Sequence, residues 1–212
     1  MIPSASSTAF KAAMASCGSN TMILTSASSK GALLHGMTLS SVTSLTVHPE
    51  PVVQFNLQVP SATSRELHKS KYLALHILKS TDESVKLARI FSMGAKFISQ
   101  QRRSEKVTTP FHHLNKDEWK FYKDYNFEGN NKLINHLNDE NIDIPLLTQA
   151  ERILICEKYK IFQVFNHEIW TCKVKDIIDK TQQVETKNCG GLIYFNRKFH
   201  KIGPHLNEPD HL

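Results

Sequence analysis

No apolar run in this 212-residue sequence reaches the roughly 18–20 residues that a membrane-crossing helix needs, so a helical span is excluded and a soluble chain is expected. Cysteine is scarce and scattered. Cys17, Cys156, Cys172 and Cys189 form no C-x-x-C pair, which argues against a zinc knuckle, a thioredoxin-type redox motif or a disulfide framework. Reduced, mostly buried thiols in a reducing compartment are the expectation. The sequence contains no G-x-G-x-x-G, Walker loop, G-x-S-x-G elbow or H-E-x-x-H. His112, His113, His205 and His211 lack ligand spacing with Cys or carboxylates, so no metal site is expected. Acid is absent from Met1 to Pro49, Glu50 being the first. An acid-free, Ser/Ala-rich start carrying Lys11 and Lys30 has the composition of an organellar transit segment, which makes mitochondria the expected location and the cytoplasm the alternative. Because Thr21–Ala27 already reads as a strand, a targeting part would be confined to about the first ten residues.

What is present is ordinary globular material, 40% hydrophobic and 22% charged, in a length that suits one domain. The organisation expected is a single domain over 1–212 with a divergent basic insertion at about 92–143. A net charge of +6 and a pI near 9.1 favour anionic partners, among them phosphorylated cofactors, nucleic acid and acidic membranes. Short β-branched runs bounded by Gly, Pro and Ser predict strands over Thr21–Ala27, His35–Ser41, Ser44–His48, Val52–Leu57 and Tyr72–Leu78. Two helices carry start signals of the capping-box type: T-S-R-E at Thr63–Glu66, within Ser61–Ser70, and S-T-D-E at Ser80–Glu83. Strands return at Ile153–Phe165, Glu168–Ile178 and Leu192–Ile202, with apolar and polar residues alternating as in half-buried antiparallel strands. Many short strands and few helices predict a mainly β fold, a closed or nearly closed antiparallel barrel.

Two polar clusters stand out. Gly36–Ser44 (GMTLSSVTS) offers hydroxyls and backbone donors between two strands; a Thr/Ser-rich edge strand is the plainer explanation. Asn56–Glu66 (NLQVPSATSRE) leaves a strand, turns at Pro60 and starts a helix, whose N-terminal N–H groups and positive dipole end suit a phosphate. Ser61, Thr63 and Ser64 would add hydroxyls and Arg65 a charge; simple helix capping is the competing account. The basic, aromatic stretch Gln100–Tyr125, with Arg102, Arg103, Trp119 and Tyr122, has the ingredients of an RNA or protein contact, although a solvated face with inward aromatics explains it better.

Taken in order, these pieces resemble the flavin reductase-like family of FMN-binding split barrels. Phe10–Met14 (FKAAM) is similar to the family's F-R-x-A-M, Gly36–Ser41 (GMTLSS) to G-M-T-x-S-S, and Tyr72–Leu78 (YLALHIL) to F-x-V-N-x-L. The likeness resumes after the middle segment at Ile144–Leu147 and Ala150. It continues through Cys156 and Phe165-Asn166-His167, where the family has G-D-H, and then Leu192–Phe195 and Phe199. The resemblance implies a homodimer that holds FMN, or FAD in its place, and accepts hydride from NAD(P)H. It implies that Thr25 and Ser26 border the ring and that Thr38, Leu39, Ser40 and Ser41 line the isoalloxazine and ribityl side. Asn56, Ser61 and Thr63 would lie near the ribityl chain and phosphate, with His167 as the candidate catalytic residue beside flavin or nicotinamide. The missing turn glycine and acid at Phe165-Asn166 bear on the nicotinamide site, which leaves a catalytically silent scaffold or assembly factor, binding RNA or protein through the basic insertion, as the alternative function.

Overall fold

The computed structural model describes residues 6–29, 32–99, 105–125, 135, 142–181 and 191–203. Lys30, Arg102, Arg103, Cys189, His205, His211 and positions 126–134 of the basic segment lie outside them.

Seven strands make the principal sheet: β1 (Met22–Ser26), β2 (Gly36–Leu39), β3 (Thr43–Thr46), β4 (Val52–Gln58), β5 (Tyr72–Leu78), β6 (Ala150–Val164) and β7 (His167–Asp179). Their lateral order is β2-β1-β5-β6-β7-β4-β3, and every neighbouring pair is antiparallel. This order dictates the shape. The edge strands β2 and β3 are joined only by residues 40–42, a link that spans about 14 Å when fully extended. A flat sheet of seven strands would separate its edges by about 29 Å. The sheet therefore curls into a half-barrel, as the alternating patterns predict, and Ser41 stitches its seam: the Asn56 N–H donates to Ser41 Oγ at 2.9 Å.

Three helices accompany the sheet, α1 (Ser7–Ala15), α2 (Ala62–Lys69) and α3 (Asp82–Ser92). Both expected capping boxes are offset. Ser61, not Thr63, caps α2 by accepting the Ser64 N–H at 3.0 Å, and Thr81 caps α3 by accepting the Ser84 N–H at 3.3 Å. The reason is spacing: a hydroxyl three positions ahead of a free amide can reach it, and that position holds Ser61, two residues before Thr63, in α2 and Thr81, one residue after Ser80, in α3. The expected strand Leu192–Ile202 is instead a small hairpin, Ile193–Phe195 against Lys198–His200. The chain reverses there at Asn196 and Arg197, which hold φ of 46° and 61°.

The barrel interior takes alternate residues from each strand, Val53, Phe55 and Leu57 from β4 and Trp170 and Cys172 from β7. The interior strand β5, third in that order, is buried on both faces. Leu73 and Leu75 face the interior, while Tyr72, Ala74 and Leu78 meet two outer clusters. Much of that outer cover comes from the basic middle segment, read from composition as an excursion. Trp119–Phe121 pairs with Pro145–Leu147, Tyr122 is buried and donates to Asp176, and Phe111 bridges Phe91 and Trp119 edge-on at 5.4 and 5.6 Å. Within the segment Asn115, Lys116 and Asp117 are exposed, while Phe111 and Tyr122 are buried and supply core.

Candidate functional site

A cavity of about 520 Å³ opens between the N-terminus of α2 and the C-terminus of α3. It is walled by Met37, Thr38, Pro60, Ser61, Ala62, Thr63, Arg65 and residues of the α3 end, Phe91, Ser92, Gly94 and Ala95. The two helix ends differ electrically. First-turn amides of α2 have no intrahelical acceptors and carry partial positive charge, and Arg65 stands beside them. At the α3 end the last carbonyls are taken by Met93 N–H, Gly94 N–H and Ser92 Oγ, with Gly94 at φ 62° closing the helix. An anionic group is therefore favoured at the α2 side and apolar surface at the Met37 and Phe91 side. Gly36 lets β2 approach this closely, because a Cβ there would fall 2.6 Å from the Phe91 ring and 2.7 Å from the Leu24 carbonyl.

The structure divides the ten expected site residues into four groups. Thr38, Ser61 and Thr63 line the cavity, but their hydroxyls fasten its walls: Thr38 Oγ1 donates to the Ala88 carbonyl at 2.6 Å, Thr63 Oγ1 to the Gly36 carbonyl at 3.4 Å, and Ser61 caps α2. Ser40, Ser41 and Asn56 sit at the barrel seam, where Ser40 and Asn56 are exposed. Thr25, Ser26 and Leu39 are buried; Thr25 Oγ1 donates to the Pro145 carbonyl at 2.6 Å, and Leu39 joins the barrel core. His167 is exposed at the start of β7, with Nδ1 2.9 Å from Asn166 Oδ1. The β6–β7 turn reaches the cavity rim through its backbone, since the Val59 N–H donates to the Asn166 carbonyl at 2.8 Å.

Sequence reasoning missed the residue that holds α2 in place. Glu168 is buried on the inward face of β7 and accepts three hydrogen bonds: from Ser64 Oγ at 2.9 Å, from Trp170 Nε1 at 3.0 Å and with His68 Nε2 at 2.8 Å. Burial pushes its carboxyl up, but the donors His68, Ser64 and Trp170 outweigh that and hold it below the usual glutamate range. The signal was present in the pattern, because Glu168 shares strand parity with Trp170 and Cys172. A second buried group, His76, bonds through Nδ1 to the Ile23 carbonyl at 2.9 Å, and burial drives its imidazole down to about 3. Of the cysteines, Cys17 is exposed while Cys156 and Cys172 are buried and free; burial raises the Cys172 thiol to about 12, so it stays protonated and inert. Among the described residues no three His, Cys, Asp or Glu side chains gather to hold a metal ion, and no helix is long and apolar enough to cross a membrane.

The curled antiparallel half-barrel thus carries, at the N-terminus of α2, a cavity whose free amides suit an anionic group. The chain belongs to the flavin reductase like domain family, whose model matches residues 14–203. Its fold is similar to a flavin reductase domain protein from Arthrobacter sp. FB24, at 16% identity and TM-score 0.65, covering 95% of this chain and 99% of that one. It is also similar to flavin reductase HpaC complexed with NADP+, at 21% identity and TM-score 0.62, covering 93% and 98%. A third likeness is to the NADH:FAD oxidoreductase SgcE6 of Streptomyces globisporus C-1027 in complex with NAD and FAD fragments, at 18% identity and TM-score 0.63, covering 93% of each chain.

Proposed function

We propose that this protein is an NAD(P)H-dependent flavin reductase that holds FMN, with FAD as the alternative flavin, in the cavity between α2 and α3. One observation carries the reading: the cavity joins a cationic, amide-rich helix start to an apolar wall, which is the donor set a flavin phosphate and ring system require. The residues fit that group. Ser61, Ala62, Thr63 and Arg65 would hold the phosphate, while Met37 and Phe91 would exclude water along the apolar side. When bound, flavin supplies the hydride chemistry, so no acid–base dyad is needed from the protein. The protein's part is geometric. Thr38 and Thr63 lock the walls, Glu168 fixes α2 against β7, and His167 at the rim orients the nicotinamide amide.

Self-association accompanies this reading. Leu45, Val47, Tyr159, Phe162 and Val164 are exposed apolar or aromatic residues on β3, its following turn and the outer half of β6, which suits a homodimer contact. The acid-free start of the chain supports a mitochondrial location. An absorbance spectrum of the purified protein with FMN or FAD, followed by NADH, tests the assignment. Flavin bands bleached by NADH are expected. Bound flavin that stays oxidised would remove the reductase activity, and no uptake of either flavin would leave a scaffold.

A further inference from the structure

Three lysines from three separate elements converge beside the stretch 146–150. Lys120 lies on the strand Trp119–Phe121, opposite Leu146. Lys180 follows β7, and its Nζ donates to the Thr148 carbonyl at 2.9 Å and to the Leu147 carbonyl at 3.5 Å. Lys79 follows Leu78, which pairs with Ala150. Lys120 and Lys180 also share one aromatic ring, their Nζ atoms lying 3.6 and 5.4 Å from the Tyr125 centroid. Among the described residues none of the three lysines has a carboxylate within ion-pairing distance. The acids of the neighbouring elements are engaged elsewhere: Asp143 with Lys123, Asp179 and Glu151 with Arg152, Asp176 with Tyr122, and Glu118 with Gln149 and the Asn115 N–H. Tyr125, whose phenol burial pushes up to about 12, and the buried His76, held down at about 3, both stay neutral and supply no counter-charge.

Lys180 is partly buried, so its ammonium is opposed twice, by lost hydration and by two like charges. Burial first, then Lys120 and Lys79, bring its amine down to about 8. A desolvated amine flanked by other cations is the arrangement that makes a lysine nucleophilic toward carbonyl groups. We propose that Lys180 forms an imine with small carbonyl compounds that carry a phosphate or carboxylate group, the anion being held by Lys79 and Lys120. The Nζ lone pair adds to the carbonyl carbon, the carbonyl oxygen departs as water with both amine protons, and no oxidation state changes. None of these groups lines the cavity between α2 and α3, so the site goes beyond the flavin reading and does not depend on it.

The test is site-resolved labelling of the intact protein with pyridoxal 5′-phosphate, trapped with borohydride and mapped by peptide mass spectrometry from pH 6 to 10. At pH 8 about half of Lys180 is neutral, against roughly 0.3% of an ordinary lysine. Lys180 should therefore label at least about tenfold faster than the other lysines, with a midpoint near pH 8, and faster with pyridoxal 5′-phosphate than with uncharged pyridoxal. Lys120→Gln and Lys79→Gln, which leave Lys180 in place, should raise that midpoint and narrow the preference for the phosphorylated aldehyde. Lys180→Met, checked for an unchanged melting temperature, should abolish the fast label. Labelling spread evenly over the lysines, or a Lys180 midpoint above about pH 10, overturns the proposal. Equal rates with pyridoxal and its phosphate overturn it too, since the flanking cations would then hold no anion.

Discussion

The segment around Tyr122 and the outer half of the β6–β7 hairpin reverse what their compositions suggest. The first is basic, rich in Lys, Asp and Asn, yet Tyr122 is 1% exposed and Phe111 8%. The second alternates apolar residues like a core strand, yet Phe162 is 51% exposed and Phe165 95%. The difference teaches that burial follows what a face is packed against, not the mean polarity of the segment. The outer face of β5 needs cover, and the aromatics of the polar segment provide it. The hairpin extends beyond the sheet's covered region, so Phe162 and Phe165 stay exposed.

The sharpest challenge to that contrast is a pair of alanine substitutions read by urea unfolding. Tyr122→Ala should cost about 3–5 kcal/mol, through lost packing and a hydrogen bond removed from Asp176, whereas Phe162→Ala should fall within about 0.5 kcal/mol. Equal losses would mean that the hairpin end is buried in the working protein and that self-association contributes to stability. Glu168→Ala should cost roughly 2–4 kcal/mol, because Ser64, His68 and Trp170 lose a shared charged acceptor. It should also weaken flavin uptake, while Glu168→Gln, which keeps an acceptor oxygen, should lose less of both.

Acidification separates a buried group from exposed ones. The His76 imidazole is about 3 in the folded protein against 6.5 for its ordinary value, so below pH 6.5 the unfolded chain binds a proton that the folded chain refuses. Stability is therefore complete above pH 6.5 and falls by about 1.4 kcal/mol per pH unit as pH drops toward 3. At pH 5 the wild type should have lost about 2 kcal/mol relative to pH 7, and His76→Gln should lack that slope. The depressed Glu168 carboxyl acts in a lower window, with its contribution lost only as pH falls below the ordinary glutamate value of 4.5, so the two are separable. The smallest effect belongs to the turn: Phe165→Gly should raise stability by no more than about 1 kcal/mol, as strain relief is partly offset by glycine's greater freedom in the unfolded chain.

Local pattern was enough to find the seven strands of the barrel, helices α2 and α3 and the order of the family motifs, because alternation and hydroxyl starts are short-range properties of the chain. Tyr72–Leu78 was legible as a strand to the residue, and Ser61, Thr63 and Arg65 were legible as a group at a helix start. Tertiary structure alone decided where their hydroxyls point. Thr38 turns to the Ala88 carbonyl and Thr25 to the Pro145 carbonyl, 50 and 120 positions away, and such partners leave no trace in a local window. It also decided that Glu168 is an anchor, since a carboxylate at an inward position is tolerated only where donors from another element converge on it. Motif spacing thus specified the elements and the family, while curling the sheet and docking α2 and α3 against it decided which polar groups face a ligand and which hold the cavity together.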